Sequence, residues 1–273
     1  MINLKNQKFN QIKLVEILFC MFPLSFIAGN LILTLNLIIF IILSLFVIKK
    51  EKLPLKIGTA HWLLIAFFLY LLLSTTIQFQ MPGFLNEKTK DWPLESQPYF
   101  KSITLLRYLV LFFIVDILFV NKIINLKKLF IFSLICTSFV CIDIFIQYFS
   151  GTDIFGYTKN SDRISGPFGD EYIAGSYLLK FSFFSFFGFL ALIKNKKYTK
   201  YFLIIIMALH IFAVTLTGNR MPLVLFLFGF FLAFILVKNL RFIIFCSLFA
   251  FLVMFGFLSK YDKNFSLTYS AFF

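Results

Sequence analysis

Long apolar runs alternate with short polar segments along the whole chain. Nine of these runs are long enough to predict membrane spans, because a helix that crosses a bilayer core needs about 20 mostly apolar residues. The runs cover residues 14–29, 31–48, 60–79, 102–120, 129–149, 173–193, 201–217, 221–237 and 242–258. The pattern predicts an all-α, polytopic membrane protein in which residues 1–273 form a single membrane-embedded helical domain.

Composition agrees with a membrane protein and argues against a soluble domain, a disulfide or a metal site. Hydrophobic residues make up 60% of the chain, and no polar stretch is long enough to form a soluble domain. The cysteines all fall inside apolar runs, so we expect no disulfide and no metal site. They are Cys20, Cys136, Cys141 and Cys246.

The distribution of charge predicts the orientation. If the N-terminus is cytoplasmic, the inside segments hold sixteen basic residues and one acid, whereas the outside segments hold eight of each. Basic residues favour the cytoplasmic side of a membrane. We therefore expect a cytoplasmic N-terminus and a C-terminus on the outer side. The formal net charge of +14 follows from this topology, and we expect no nucleic-acid partner.

Four ionisable residues fall within predicted spans at a similar depth. Arg107, Asp143, Lys180 and His210 each lie roughly 8–10 Å below the outer surface at about 1.5 Å per residue. An ionisable group at such a depth is costly unless it faces the bundle interior, water or a partner. Asp143 could neutralise Lys180 or Arg107, either as a buried pair that fixes helix packing or as part of a transport path. His210 fits a hydrogen-bonded interior histidine better than a catalytic one.

The first polar motif, residues 163–175, lies between two apolar runs. Gly166 and Gly169 are expected to shape a turn. Asp170 and Glu171 are placed at the N-terminal end of the sixth span, where acids stabilise the helix dipole. A catalytic pair is the alternative role for these two acids.

The second polar motif, residues 215–222, is a short outer turn in which Gly218 permits a tight bend and Asn219 precedes Arg220. Three of the four arginines, Arg107, Arg163 and Arg220, fall in the outer half of the molecule. A guanidinium suits phosphate or carboxylate, and a helix N-terminus near Arg220 favours an anion as well. We therefore expect an anionic ligand at the outer face. The alternative is that Arg163 pairs with Asp162 or Asp170 and that Arg220 caps the turn.

Together the two motifs resemble the bacterial O-antigen ligase and O-antigen polymerase family of membrane glycosyltransferases. The resemblance rests on Arg163, Gly166 and Phe168, followed one helical hairpin later by Thr217 and Arg220. In topology it covers residues 100–258. Many family members have an Asn-Pro-Asn-like run where this chain has Gly169, Asp170 and Glu171, and a serine is usual at the position of Asn219.

The resemblance implies transfer of a glycan from a polyprenyl-pyrophosphate carrier to a glycan or lipid-linked sugar acceptor. The reaction would be metal-independent and inverting, would need no cofactor, and would take place at the periplasmic face of the bacterial inner membrane during lipopolysaccharide assembly. Arg163 and Arg220 would bind the pyrophosphate. Ligase and polymerase remain equal alternatives.

Family members also carry a large periplasmic loop with a catalytic histidine, followed by further spans. Residues 1–273 contain no counterpart of this loop, so we expect an N-terminal portion or a truncated, inactive homologue, and the catalytic base is unknown. The alternative from another class is a transporter or flippase that uses the four residues within the spans.

Overall fold

The computed structural model describes residues 2–55, 57–80, 98–159, 163–192, 196–261 and 266. The described part is helical, and its only β-type pairing is an isolated bridge between Thr152 and Thr158. The α-helices are α1 (Ile2–Cys20), α2 (Phe22–Ile27), α3 (Asn30–Glu51), α4 (Thr59–Gln80), α5 (Pro98–Val120), α6 (Leu126–Ser150), α7 (Ala174–Leu192), α8 (Lys196–Leu216), α9 (Arg220–Leu236) and α10 (Arg241–Tyr261). Two short 3₁₀ turns occur at Gly166–Phe168 and Lys238–Leu240.

Each predicted apolar run falls on helical structure, but the first run is divided. The chain breaks between α1 and α2 at Met21, and Pro23 lies in the first turn of α2. Proline has no backbone N–H and cannot bond to the carbonyl four residues earlier, which explains why one continuous helix is not formed. Helix α1 also begins at Ile2, well before the predicted start at residue 14.

Helix length and surface composition identify a helical membrane protein. Among the described residues, six helices are long and apolar enough to cross a membrane, namely α3, α4, α5, α6, α8 and α10, while α7 and α9 are apolar but shorter. Large apolar side chains are widely exposed, including Leu31, Phe149 and Leu236. An exposed apolar surface of this extent suits contact with lipid.

The helices group into two compact units. The first contains Met1–Leu18 and Leu37–Asn125, and the second contains Phe19–Asn36 and Leu126–Phe273. In the first unit α4 packs on α5, and the hydroxyls of Thr75 and Ser102 lie 3.0 Å apart. That residues 1–273 form a single membrane-embedded domain stays a prediction.

The second unit holds the larger core, which is built from α6 to α10. Its largest fully buried side chains include Tyr177, Phe226 and Phe230. Helices α6 and α7 pack closely, because Gly188 lies directly against the backbone of Phe130. Both polar motifs belong to this unit.

Candidate functional site

Two glycines shape the turn of the first motif. Gly166 opens the 3₁₀ turn with a φ of +56°, and Gly169 ends it with a φ of +63°. L-amino acids rarely adopt this left-handed region, whereas glycine enters it at no steric cost. The turn therefore depends on glycine at both positions.

Helix α6 holds the loop that contains this turn through two buried polar side chains. Gln147 accepts a hydrogen bond from the Gly166 amide at 2.8 Å and donates one to the Tyr157 carbonyl at 3.2 Å. One turn earlier, Asp143 accepts a hydrogen bond from the Ile154 amide at 2.9 Å. One face of α6 therefore anchors both the start of the loop and the first motif.

We expect Gln147→Leu to loosen this loop without disturbing the helix. The substitution leaves the buried Gly166 N–H without its acceptor, which typically costs about 1–3 kcal/mol. The measurement is the rate at which a protease cuts the segment 151–173 in detergent-solubilised protein, and we expect faster cleavage in the variant. Ile135→Leu on the same helix is the control, because this side chain is exposed and has no hydrogen-bonding group. Equal cleavage rates in both variants would contradict the anchoring role.

Asp143 is not paired with Lys180 among the described residues. One carboxylate oxygen of Asp143 is used by Ile154, and the other is buried without a hydrogen-bond partner. Lys180 is exposed, and its ammonium lies 4.7 Å from the centre of the Phe26 ring. The expected neutralisation of Asp143 by Lys180 therefore does not occur, because Lys180 faces away from the interior of the unit.

The two polar motifs meet in three places. The Ile164 amide donates to the Thr217 carbonyl at 3.4 Å, and the Asn219 side-chain amide donates to the Tyr172 carbonyl at 2.9 Å. Gly175 also lies against Thr217, since a Cβ there would come within 2.7 Å of the threonine hydroxyl oxygen. Segments about 50 residues apart in sequence thus form one continuous structure, here called the motif junction.

Both arginines of the motifs lie at the motif junction. Arg163 is exposed, with its guanidinium 5.9 Å from the centre of the Tyr172 ring, and it precedes Ile164. Arg220 is exposed and is the first residue of α9. The Asn219 side chain does not cap this helix, because its amide is turned to Tyr172. Two guanidinium groups and a helix N-terminus free of a side-chain cap give the junction the chemistry of an anion site.

The acids of the first motif lie outside the helix in which they were expected. Helix α7 begins at Ala174, so Asp170 and Glu171 belong to the turn that precedes it. The helix dipole acts mainly within the first turn, and its effect on these acids is therefore weaker than predicted. Asp170 does not pair with Arg163 in the described part of the chain, and Asp162 lies outside the described residues.

A groove of about 580 Å³ opens beside the acids. It lies between the turn that joins α2 to α3 and the loop that follows Gly166. Its lining contains neither motif arginine. The lining residues are Phe26, Ile27, Ala28, Gly29, Asn30, Leu33, Tyr157, Pro167, Phe168, Gly169, Asp170, Glu171 and Ile173.

Comparison with protein-family models, with curated proteins and with solved structures gives no match. The function of the chain is therefore inferred from its own residues.

The remaining members of the predicted polar layer make local contacts. His210 is buried, with Nδ1 donating to the Ile206 carbonyl at 2.8 Å and Nε2 lying 3.1 Å from the Thr137 hydroxyl. Arg107 belongs to the first unit and donates to the hydroxyl of its neighbour Tyr108 at 3.2 Å. His210 is thus a hydrogen-bonded interior histidine, as the sequence favoured.

The sequence did not reveal a polar pair in the first unit. The Gly58 amide donates to Nδ1 of His61 at 3.1 Å, which places the ring proton on Nε2, and Nε2 donates to Asp116 at 3.2 Å. The two side chains are 55 residues apart, so no local spacing could have linked them. The pair joins α4 to α5, and the His61 ring packs against the rings of Phe112 and Phe113. This apolar surrounding favours a structural role.

Proposed function

We propose that this chain is a membrane glycosyltransferase of the O-antigen ligase or polymerase type. It moves a glycan from a polyprenyl-pyrophosphate carrier to an acceptor sugar at the periplasmic face of the bacterial inner membrane, in surface polysaccharide assembly. Arg163 and Arg220 bind the pyrophosphate. The observation that carries this proposal is the motif junction, which joins the two segments on which the family resemblance rests.

In this reaction the two arginines stabilise the negative charge of the leaving pyrophosphate. An acceptor hydroxyl gives its proton to a general base and attacks the anomeric carbon of the donor sugar, while the bond from that carbon to the phosphate oxygen breaks and its electron pair leaves with the pyrophosphate. The leaving group therefore gains negative charge as the bond breaks. Guanidinium groups fixed beside it stabilise this charge, and loss of one such fixed donor typically slows a reaction about 10²–10³-fold.

The connectivity of the helices supports an outer position for both motifs. The first motif connects α6 to α7 and the second connects α8 to α9, so one helical hairpin separates them. Two loops separated by one hairpin lie on the same side of a membrane if both helices cross it, and the contact between Ile164 and Thr217 agrees with this arrangement. The distribution of basic residues then favours the periplasmic side.

The transporter interpretation receives less support. It needs the polar groups within the spans to form a connected path. In the second unit, Asp143 binds the Ile154 amide, Lys180 lies on a phenylalanine ring, and His210 bonds to its own helix and to Thr137. Each group thus has a local role.

We expect Arg163→Ala and Arg220→Ala each to reduce glycan transfer by about 10²-fold or more, because each removes a fixed cation from the leaving group. The measurements are surface polysaccharide in cells that carry the variant in place of the native gene, and binding of undecaprenyl pyrophosphate to purified protein in nanodiscs. Arg163→Lys should recover only part of the binding, since an ammonium lacks the planar donor fork.

Lys260→Ala is the matched control for these variants. It removes one exposed cation from the end of α10, which is on the side expected to be periplasmic and belongs to neither polar motif. Surface polysaccharide should then remain at the native level. Normal polysaccharide in either arginine variant, at equal amounts of protein in the membrane, would overturn the proposal.

A further inference from the structure

The groove beside the motif junction has the size and mixed lining of a ligand site. Its volume of about 580 Å³ falls within the range of about 300–1,000 Å³ that is usual for small-molecule pockets. Apolar side chains such as Phe26 and Leu33 line one part of it, and Asn30, Asp170 and Glu171 supply polar groups. Pockets of this kind bind a ligand through apolar surface and orient it through a few polar contacts.

The polar groups of the groove are free to meet a ligand. Asp170 and Glu171 are exposed, and within the described part of the chain neither carboxylate has a hydrogen-bond or ion-pair partner. An ionised carboxylate only accepts hydrogen bonds, so a ligand must bring donors. Among the described residues that line the groove there is no lysine or arginine to offset the two acids, so the groove favours a neutral ligand over a phosphate.

Aromatic rings lie next to these acceptors. The Tyr157 ring rests on Gly169, where a Cβ would come within 3.1 Å of the ring carbon that bears the hydroxyl. Phe168 packs edge-on against Phe26, with ring centres 6.5 Å apart. The negative face of an aromatic ring attracts weakly positive C–H groups. A sugar has an apolar C–H face, which suits the aromatic rings, and hydroxyl donors around its edge, which suit the carboxylates.

We propose that this groove is a carbohydrate subsite in which Asp170 and Glu171 accept hydrogen bonds from the hydroxyls of a neutral sugar. The inference rests on the proposed function, in which that sugar is the acceptor. Tyr172 connects the two regions, because it follows Glu171, its ring lies beside Arg163, and its carbonyl receives the Asn219 amide. The site is thus divided by charge, with the pyrophosphate on the arginine side and the neutral acceptor on the acid side.

The test measures binding of methyl glycosides of glucose, galactose and mannose by saturation-transfer NMR, with purified full-length chain in nanodiscs. We expect at least one glycoside to bind the native protein and the Arg163→Ala variant. Asp170→Asn combined with Glu171→Gln should weaken that binding about tenfold or more, because hydrogen bonds to charged groups are among the strongest. A monodisperse peak in size-exclusion chromatography, at the same volume as the native protein, shows that the double variant is folded.

Hexylamine serves as the competing probe, since an amine also donates hydrogen bonds to carboxylates. Binding of hexylamine without any glycoside would overturn the carbohydrate assignment, as would glycoside binding that the double variant leaves unchanged, or no glycoside binding at all. The two proposals fail separately. Pyrophosphate binding without glycoside binding refutes only the sugar subsite, and glycoside binding without pyrophosphate binding refutes the role of the arginines.

Discussion

Gly188→Ala should lower the apparent Tm of the detergent-solubilised protein by roughly 6–12 °C, the shift expected for about 3 kcal/mol in a chain of this size. A Cβ at Gly188 would overlap the carbonyl oxygen of Phe130, so the added methyl meets the backbone of α6. Side chains can yield to an added methyl at a typical cost of about 1–3 kcal/mol, but here one helix must move. Close approach of backbones at small residues is a main source of helix association in membranes.

Gly256→Ala is the matched control for this prediction. It adds the same methyl to a glycine of α10 that has nothing within 4 Å of the new atom. Alanine stabilises a helix interior by about 0.5–1 kcal/mol relative to glycine, so the apparent Tm should stay the same or rise slightly. The measurement is loss of the monodisperse peak in size-exclusion chromatography after heating. A similar Tm for both variants would mean that α6 and α7 do not approach as closely as described.

The helices could be predicted from the sequence because span length is fixed by the thickness of a bilayer. Residues 31–48, for example, lie within the helix Asn30–Glu51 that the structure forms. At two of the places where helix boundaries differ from the prediction, a proline or a glycine is the reason. Pro23 divided the first run, and the positive φ at Gly169 kept Asp170 and Glu171 in a turn until the helix began at Ala174. An apolar run marks where a span can lie, but not where its first hydrogen bond forms.

Equal depth in the membrane does not decide whether two side chains of the predicted polar layer touch. Counting residues gives the height of Asp143 and Lys180, but contact also requires that the two side chains face each other around their helix axes. Each residue turns the helix by about 100°, so a small error in helix rotation separates groups at equal depth. Lys180 faces outward and lies on Phe26, whereas Asp143 faces the loop that begins after α6.

At the motif junction, the structure brings together residues whose contacts the sequence did not predict. The sequence placed Arg163 and Arg220 on the same side of the membrane from charge counts, yet nothing in it linked Ile164 to Thr217 or Asn219 to Tyr172. Those contacts depend on how α7 and α8 pack, which is a property of the folded unit. The family resemblance was the one signal that joined the two segments.

Gly175→Ala should weaken binding of undecaprenyl pyrophosphate by about tenfold to a hundredfold, although it removes no charged group. A Cβ at this position would come within 2.7 Å of the Thr217 hydroxyl oxygen and 3.3 Å of Cβ of Asn219. Thr217 cannot easily yield, because it is fully buried and donates a hydrogen bond to the Val214 carbonyl at 2.7 Å. The turn that carries Arg220 must therefore shift, and a displacement of about 1 Å can cost a site up to about a hundredfold.

A second substitution separates this local effect from general damage. Thr217→Ala removes the oxygen with which the new methyl collides, and by itself it loses only one hydrogen bond, worth about 0.5–1.5 kcal/mol. Gly175→Ala combined with Thr217→Ala should therefore bind pyrophosphate more tightly than Gly175→Ala alone. Residues in direct contact show such non-additive behaviour, with coupling energies of about 0.5–3 kcal/mol. If the double variant lost affinity by the sum of the two single effects, the close contact of the motifs would not be what positions Arg220.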